Sequence, residues 1–225
     1  MKVYYKKGTS HANHNEDAYF YKHLNEDIVL LAVMDGCSSG KEAYFASTLF
    51  SKILKKISLG IPNQTDLLGV DLLDSYSLSS LGLHITHSFF IQLKRIQQSL
   101  LLEYSELAST ILLMLVDKKQ KKVWVLVAGD GYVMIDHQLQ YYDYNNRPDY
   151  ICYHLSNSYK EWLHEHTEIY EATYQNIVGL STDGVKEKLS FPNKINRRDI
   201  ETLLEDKEVQ FKDDVTFLIF SDEPR

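Results

Sequence analysis

The chain lacks most of what would mark a secreted, membrane-bound or nucleic-acid-binding protein. It has two cysteines, Cys37 and Cys152, too few for a disulfide framework. Apolar runs such as Ile111 to Val116 fall far short of the roughly 20 residues a membrane-spanning helix needs. The opening Met1-Lys2-Val3-Tyr4-Tyr5 has neither the apolar core nor the small-residue cleavage site of a signal peptide. Basic runs are short, Lys118 to Lys122 and Arg197 to Arg198, and the formal net charge is −7. A phosphate backbone would be repelled by that balance. These absences predict a cytoplasmic, soluble protein with no membrane and no nucleic-acid partner.

What is present supports a well-packed core, since 44% of the 225 residues are apolar. Asp17 to His23 and Asp27 to Met34 read as two strands. The second is almost wholly apolar, as a strand covered on both faces would be. Ala43, Ala46, Leu49, Phe50, Ile53, Leu54 and Ile57 recur at helical spacing, which predicts a helix from about Lys41 to a stop at Gly60-Ile61-Pro62. A short helix around Leu67 to Leu73 and a long amphipathic one over Ile85 to Leu102 follow. The period then shortens to that of strands over Thr110 to Val116, Val123 to Ala128 and Tyr132 to Ile135. Gln138 to Tyr174, with its Tyr141 to Asn146 tract, reads as a loop or irregular hairpin. A strand at Ile177 to Thr182, a helix over Arg198 to Glu205 and a last strand at Val215 to Phe220 complete a single α+β domain over residues 1–225.

Acidic residues stand at the strand ends. Asp17 opens one strand, Asp35 closes another before Gly36, Asp130 lies between two glycines, Asp183 precedes Gly184, and Asp213 and Asp214 precede the last strand. Strand ends of a layered fold converge on sheet edges. Carboxylates gathered there need cations to neutralise them, and hard oxygen donors suit Mg²⁺ or Mn²⁺ rather than zinc. Any one Asp-Gly pair is more often a turn than a ligand; order and context carry the reading. The glycines fit tight turns that expose a backbone carbonyl as a further ligand.

Taken in order, Asn15-Glu16-Asp17-Ala18, Val33-Met34-Asp35-Gly36, Ala108-Ser109-Thr110, Ala128-Gly129-Asp130, Ser181-Thr182-Asp183-Gly184 and Asp213-Asp214-Val215-Thr216 resemble the motif series of the type 2C (PPM) metal-dependent phosphatases, in a compact bacterial form. The resemblance implies a β-sandwich flanked by pairs of antiparallel helices in αββα layers. It implies hydrolysis of protein phosphoserine and phosphothreonine by a metal-activated water. By position, Asp35 would bridge two divalent cations, Mn²⁺ or Mg²⁺, with Asp17, Asp183, Asp213 and the Gly36 carbonyl as direct ligands. Glu16 would act through a bound water, and Asp130 matches a residue that, with Asp183, holds a weaker third ion in some members. Residues 138–175 fall where the family has a variable flap.

The chain also departs from the pattern. Ala12 stands where members commonly carry a phosphate-gripping arginine, and a methyl group cannot replace a guanidinium. His11, His14, Lys7 and Arg147 are the substitutes the sequence offers; His11 is taken as the phosphate contact. Cys37 occupies a position that holds a histidine in many eukaryotic members, and a small strand-end thiol is its plainer role. Ser38, Ser39, Gly131 and Asp214 are further substitutions. The alternatives are a catalytically weak relative that binds a partner and a hydrolase of small phosphoesters. His84 and His87 have no third ligand nearby in sequence, and His164-Glu165-His166 lacks the four-residue spacing of a zinc helix. Gly129-Asp130-Gly131 is too short for a dinucleotide loop.

Overall fold

A computed structural model describes residues 1–40, 42–61, 77–144, 148–189 and 197–222. The expected helix around Leu67 to Leu73 and the side chain of Arg147 lie outside them. The elements run β1 (Lys2–Lys6), β2 (Asp17–His23), β3 (Ile28–Asp35), α1 (Ala43–Gly60), α2 (Leu78–Leu100), β4 (Ile111–Asp117), β5 (Lys122–Ala128), β6 (Gly131–Ile135), β7 (Gln138–Tyr142), α3 (Tyr159–Glu165), β8 (Glu168–Thr173), β9 (Ile177–Ser181), α4 (Arg197–Glu205) and β10 (Val215–Ser221).

The strands form two five-stranded sheets, β1-β10-β9-β6-β7 and β2-β3-β4-β5-β8, with every neighbouring pair antiparallel. The sheets stack face to face, and the alternation of side chains along each strand divides the core into layers. Val29, Leu31 and Val33 of β3 meet Val178, Leu180 and Leu218 of the opposing sheet between the two. The intervening Leu30, Ala32 and Met34 turn outward under α1 and α2. The apolar run of β3 is therefore explained by helices on one side and a second sheet on the other. On the far face, Tyr132, Phe217 and Ile219 are covered by Ile200 and Leu204 of α4. The helix pair expected on each face is present as α1 and α2 on one; on the other, the described residues supply α4 alone.

Three elements differ from the sequence reading. β1 was not anticipated; its pattern is only half-buried, and it is held as an edge strand by pairing with β10. α2 begins at Leu78, earlier than the periodicity indicates, because Ser77 caps it by accepting from the Ser80 amide at 3.1 Å. The described residues within 138–175 are more ordered than an irregular hairpin: β7 and β8 become edge strands of the two sheets. Between them, residues 143–167 carry α3, which docks on α2 through a 2.7 Å Thr86–Tyr159 hydroxyl hydrogen bond and Phe90 against Trp162. Among the described residues no helix is long and apolar enough to cross a membrane.

Candidate metal centre

Strand register brings the acidic residues to one end of the sandwich. Asp17, the first residue of β2, is the cross-strand partner of Asp35, the last of β3. In the other sheet Ser181, the last residue of β9, pairs with both Phe217 of β10 and Tyr132 of β6. That register places Asp183, the Asp213-Asp214 pair and Asp130 at a common edge. All the strand-end acids predicted from sequence are thereby gathered.

Each is held by its backbone or a neighbouring hydroxyl. Thr110 grips Asp35 from both sides: its Oγ1 accepts from the Asp35 amide at 3.0 Å, and its own amide donates to the Asp35 carbonyl at 2.8 Å. The Thr182 hydroxyl donates to Asp17 Oδ2 at 2.7 Å and accepts from the Thr216 amide at 3.0 Å. Glu16 Oε2 accepts from Ser38 at 2.7 Å. Asp130 accepts from the Tyr144 amide at 2.6 Å.

Of the three strand-end Asp-Gly glycines, Gly36 and Gly184 are required by close approach rather than by turn geometry. Gly36 and Gly184 do not have positive φ; that conformation belongs to Gly129 and Gly131, on either side of Asp130. A Cβ on Gly36 would lie 2.0 Å from the Ala43 carbonyl oxygen, and one on Gly184 would lie 1.9 Å from that of Asp214. The backbone of each acidic strand end is thus pressed against a neighbouring segment, with no room for a side chain.

The electrostatics show why this end needs a cation. Burial, opposed by the Thr182 hydrogen bond and reinforced by the charges of Asp214 and Asp213, pushes the Asp17 carboxyl up to about 8. Asp35 is raised well above the ordinary carboxylate range, by desolvation first and then by Asp17, Asp183, Asp213 and Asp214. Asp183 rises to about 6 through desolvation, Asp213 and Asp130, against the pull of Lys186. Asp35 and Asp183 keep some solvent contact, yet the protein around them dominates. Asp17 Oδ1 is buried and makes no hydrogen bond of good geometry, with the nearby Thr216 hydroxyl likewise unpaired, which a protein rarely tolerates without an ion or a proton there.

Those features fit divalent cations. The donors are all oxygens. They are also not drawn together as a tight single-ion cage, since the one trio of His, Cys, Asp or Glu ligand atoms mutually within 4.8 Å among the described residues lies elsewhere. A wider spacing suits ions that keep several waters and take one or two carboxylates each, as Mg²⁺ does.

Sequence reasoning missed the role of Asp214. Its side chain is buried and works as a hub: Oδ1 accepts from the Gly8 amide at 2.6 Å, while Oδ2 takes the Glu16 amide at 2.5 Å and His11 Nδ1 at 2.7 Å. Burial works to lower the His11 pKa, but the hydrogen bond and charge of Asp214, with Glu16 and Asp213, prevail and raise it. His11 Nε2 faces Ser38, Glu16 and Asp213 at 3.4 to 3.7 Å. Lys7 Nζ donates to the Ala12 carbonyl at 2.9 Å, and His14 packs on Tyr44 instead. A cavity of about 430 Å³, lined among others by His11, Ala12, Glu16, Ser38 and Tyr44, opens beside these groups.

The Thr182 clamp gives a direct test. Thr182→Val keeps the shape and removes the donor to Asp17. The concentration of Mn²⁺ giving half-maximal activity, and the affinity measured by calorimetry, are expected to weaken by about 10-fold or more. Unchanged values would remove Thr182 from the metal centre's support.

A two-sheet sandwich whose strand ends present carboxylates fitted to divalent cations defines a metal-dependent phosphoester hydrolase. The family assignment is specific: the sequence profile described as Protein phosphatase 2C matches residues 7–214, and the chain belongs to that family. It is accordingly a metal-dependent serine/threonine phosphatase by class. Solved structures with the same fold include RsbX in complex with magnesium (TM-score 0.59, 16% identity, 97% of this chain and 92% of that one covered). A bacterial serine phosphatase (0.62, 15%, 100% and 98%) and the serine/threonine phosphatase Stp1 from Staphylococcus aureus (0.60, 14%, 99% and 94%) are likewise similar. Comparison with curated proteins by sequence found no match.

Proposed function

We propose that the chain removes phosphate from phosphoserine and phosphothreonine in proteins, using two divalent cations, Mg²⁺ or Mn²⁺. The ligands in this reading are Asp35, between the two ions, with Asp17, Asp183, Asp213 and the Gly36 carbonyl. Glu16 acts through a water. Asp130 and Asp183 hold a weaker third ion. The observation that carries the reading is the convergence of these strand-end acids around the unpartnered Asp17 Oδ1. The magnesium bound by RsbX is in keeping with it. Cations bound there supply Lewis acidity and make coordinated water acidic enough to ionise near neutral pH.

The chain's own residues do the rest. Thr110 and Thr182 fix the direction of Asp35 and Asp17, so little reorganisation is needed when charge develops on the phosphoryl group. His11 is the cationic group that replaces the arginine missing at Ala12. Its Nδ1 is committed to Asp214, and its Nε2, which makes only long contacts of 3.4 to 3.7 Å to Ser38, Glu16 and Asp213, would exchange them for a phosphoryl oxygen. Lys7, tied to the Ala12 carbonyl, adds a second positive charge at the same rim.

The test is turnover of a phosphothreonine peptide, a phosphoserine peptide and a small aryl phosphate, each with Mn²⁺, with Mg²⁺ and with chelator. Metal-dependent turnover favouring the peptides is expected. Preference for the small ester would replace the proposed substrate class. No turnover from folded, metal-loaded protein would refute the reading.

A further inference from the structure

Away from the acidic centre, Asp149, His154 and His166 point their ligand atoms at one another, all within 4.8 Å. His154 Nε2 lies 2.6 Å from Asp149 Oδ1, and His166 Nδ1 lies 2.5 Å from Asp149 Oδ2. The two imidazoles are stacked, with centroids 3.6 Å apart and planes at 21°. We propose that these three residues form a separate site for a borderline transition metal such as Zn²⁺, which fastens the segment between β7 and β8.

The argument begins with the protons. In the metal-free arrangement each ring nitrogen facing Asp149 must carry hydrogen to bond with it. If both rings were fully protonated, two stacked cations would share a single carboxylate, an unfavourable arrangement. A metal ion replaces both of these hydrogens at once, taking two neutral imidazole nitrogens and the carboxylate. Zinc in open sites uses three such protein ligands and a water. Its bond lengths of about 2.0–2.2 Å set donors roughly 3.4 Å apart. The present contacts run to the two different oxygens of Asp149, so binding would draw one oxygen to the ion and splay the stacked rings until each holds the ion in its own plane, a change of side-chain rotation. Side-chain exposures of 11%, 39% and 22% for His154, Asp149 and His166 leave an entry path. This nitrogen-rich donor set differs in kind from the all-oxygen acidic centre, so the two sites select different metals.

The chain on either side of Tyr150 would be pinned by the ion. Tyr150 is itself buried in the helix-side core and lies near the thiol of Cys37, two residues beyond Asp35. His154 closes a 3₁₀ turn, Ile151–His154, and His166 is the C-cap of α3. Fastening these points would hold this stretch against the helix-side core through Tyr150.

Full-length protein saturated with Mg²⁺ is titrated with Co²⁺, the visible-absorbing stand-in for Zn²⁺. The expected result is one Co²⁺ per chain with the intense d–d bands of low-coordinate geometry, displaced by Zn²⁺. His166→Ala and, separately, His154→Ala are expected to weaken that binding by at least about 100-fold while Mg²⁺-dependent turnover persists. Persistence of turnover certifies the fold of each variant, and far-UV circular dichroism does so if the protein proves inactive on every substrate. Absence of the bands overturns the proposal and leaves the trio a hydrogen-bonded clip. Bands that survive both histidine variants but vanish in Asp35→Asn assign the cobalt to the acidic centre and overturn it equally.

Discussion

Asp35→Asn is expected to lower metal-dependent turnover by about 10³-fold or more while leaving the chelated protein as stable as the parent, or more so. Both halves follow from one arrangement. The Asp35 carboxyl is held at the strand end by Thr110 through its backbone, so the amide substitute keeps its place. Its charge is opposed by desolvation and by Asp17, Asp183, Asp213 and Asp214; a neutral isostere relieves that opposition. A site strained for function gains stability when the functional group is neutralised. Phosphopeptide turnover at saturating Mn²⁺ and a thermal melt in chelator read the two effects separately. Near-parental activity would dismiss Asp35 as the bridging ligand, and a sharply lower melting temperature would dismiss the electrostatic account.

A second large effect concerns pH. Asp17 carries its proton up to about 8 in the folded chain and only to about 3.9 when unfolded. Between those values the folded state holds a proton that the unfolded state has released. Stability of the metal-free protein therefore falls as pH rises through this window and levels off above it. Asp183, raised to about 6, adds to the same slope over its lower part. His11, also raised, contributes stability at low pH that is lost as pH climbs through its folded value, so its sign agrees. Even half of the Asp17 displacement is worth about 3 kcal/mol, or roughly 6–12 °C in a domain of this size. Saturating Mg²⁺ or Mn²⁺ is expected to flatten or reverse the trend, because cations then neutralise what protons did. Melting temperatures from pH 5 to about 8.5, with and without metal, decide it; a chelated protein whose stability rises with pH would contradict the burial of these acids.

Much of this was legible in the residues. The apolar run of β3 signalled coverage on both faces, and the acids at strand ends signalled a shared edge because strand ends are where layered folds converge. The long-range partners were not legible. Nothing near Thr182 in sequence indicates that its hydroxyl meets Asp17 in the opposite sheet. Asp214 reads as an odd extra charge next to a ligand until His11 and the amides of Gly8 and Glu16 are seen around it. Turn chemistry accounts for Gly129 and Gly131 but not for Gly36 and Gly184, since a sequence does not reveal which backbone will be pressed against which. His166 was dismissed for want of a helical partner; its neighbours Asp149 and His154 reach it from a separate turn. β1 and β8 are edge strands with mixed patterns, and pairing rather than periodicity makes them strands.

The position of β10 has a consequence for how the protein comes into being. The last strand in chain order lies between β1, the first, and β9, and Asp213 and Asp214 stand at its entrance. A nascent chain still lacking β10 on the ribosome leaves β1 without its partner strand, has no Asp214 to gather Gly8, His11 and Glu16, and lacks Asp213 at the acidic edge. Such sequence-distant pairing forms slowly, and until it forms the emerging polypeptide has no means of acting on phosphorylated neighbours. A translation product halted before β10 would therefore be inert rather than unregulated.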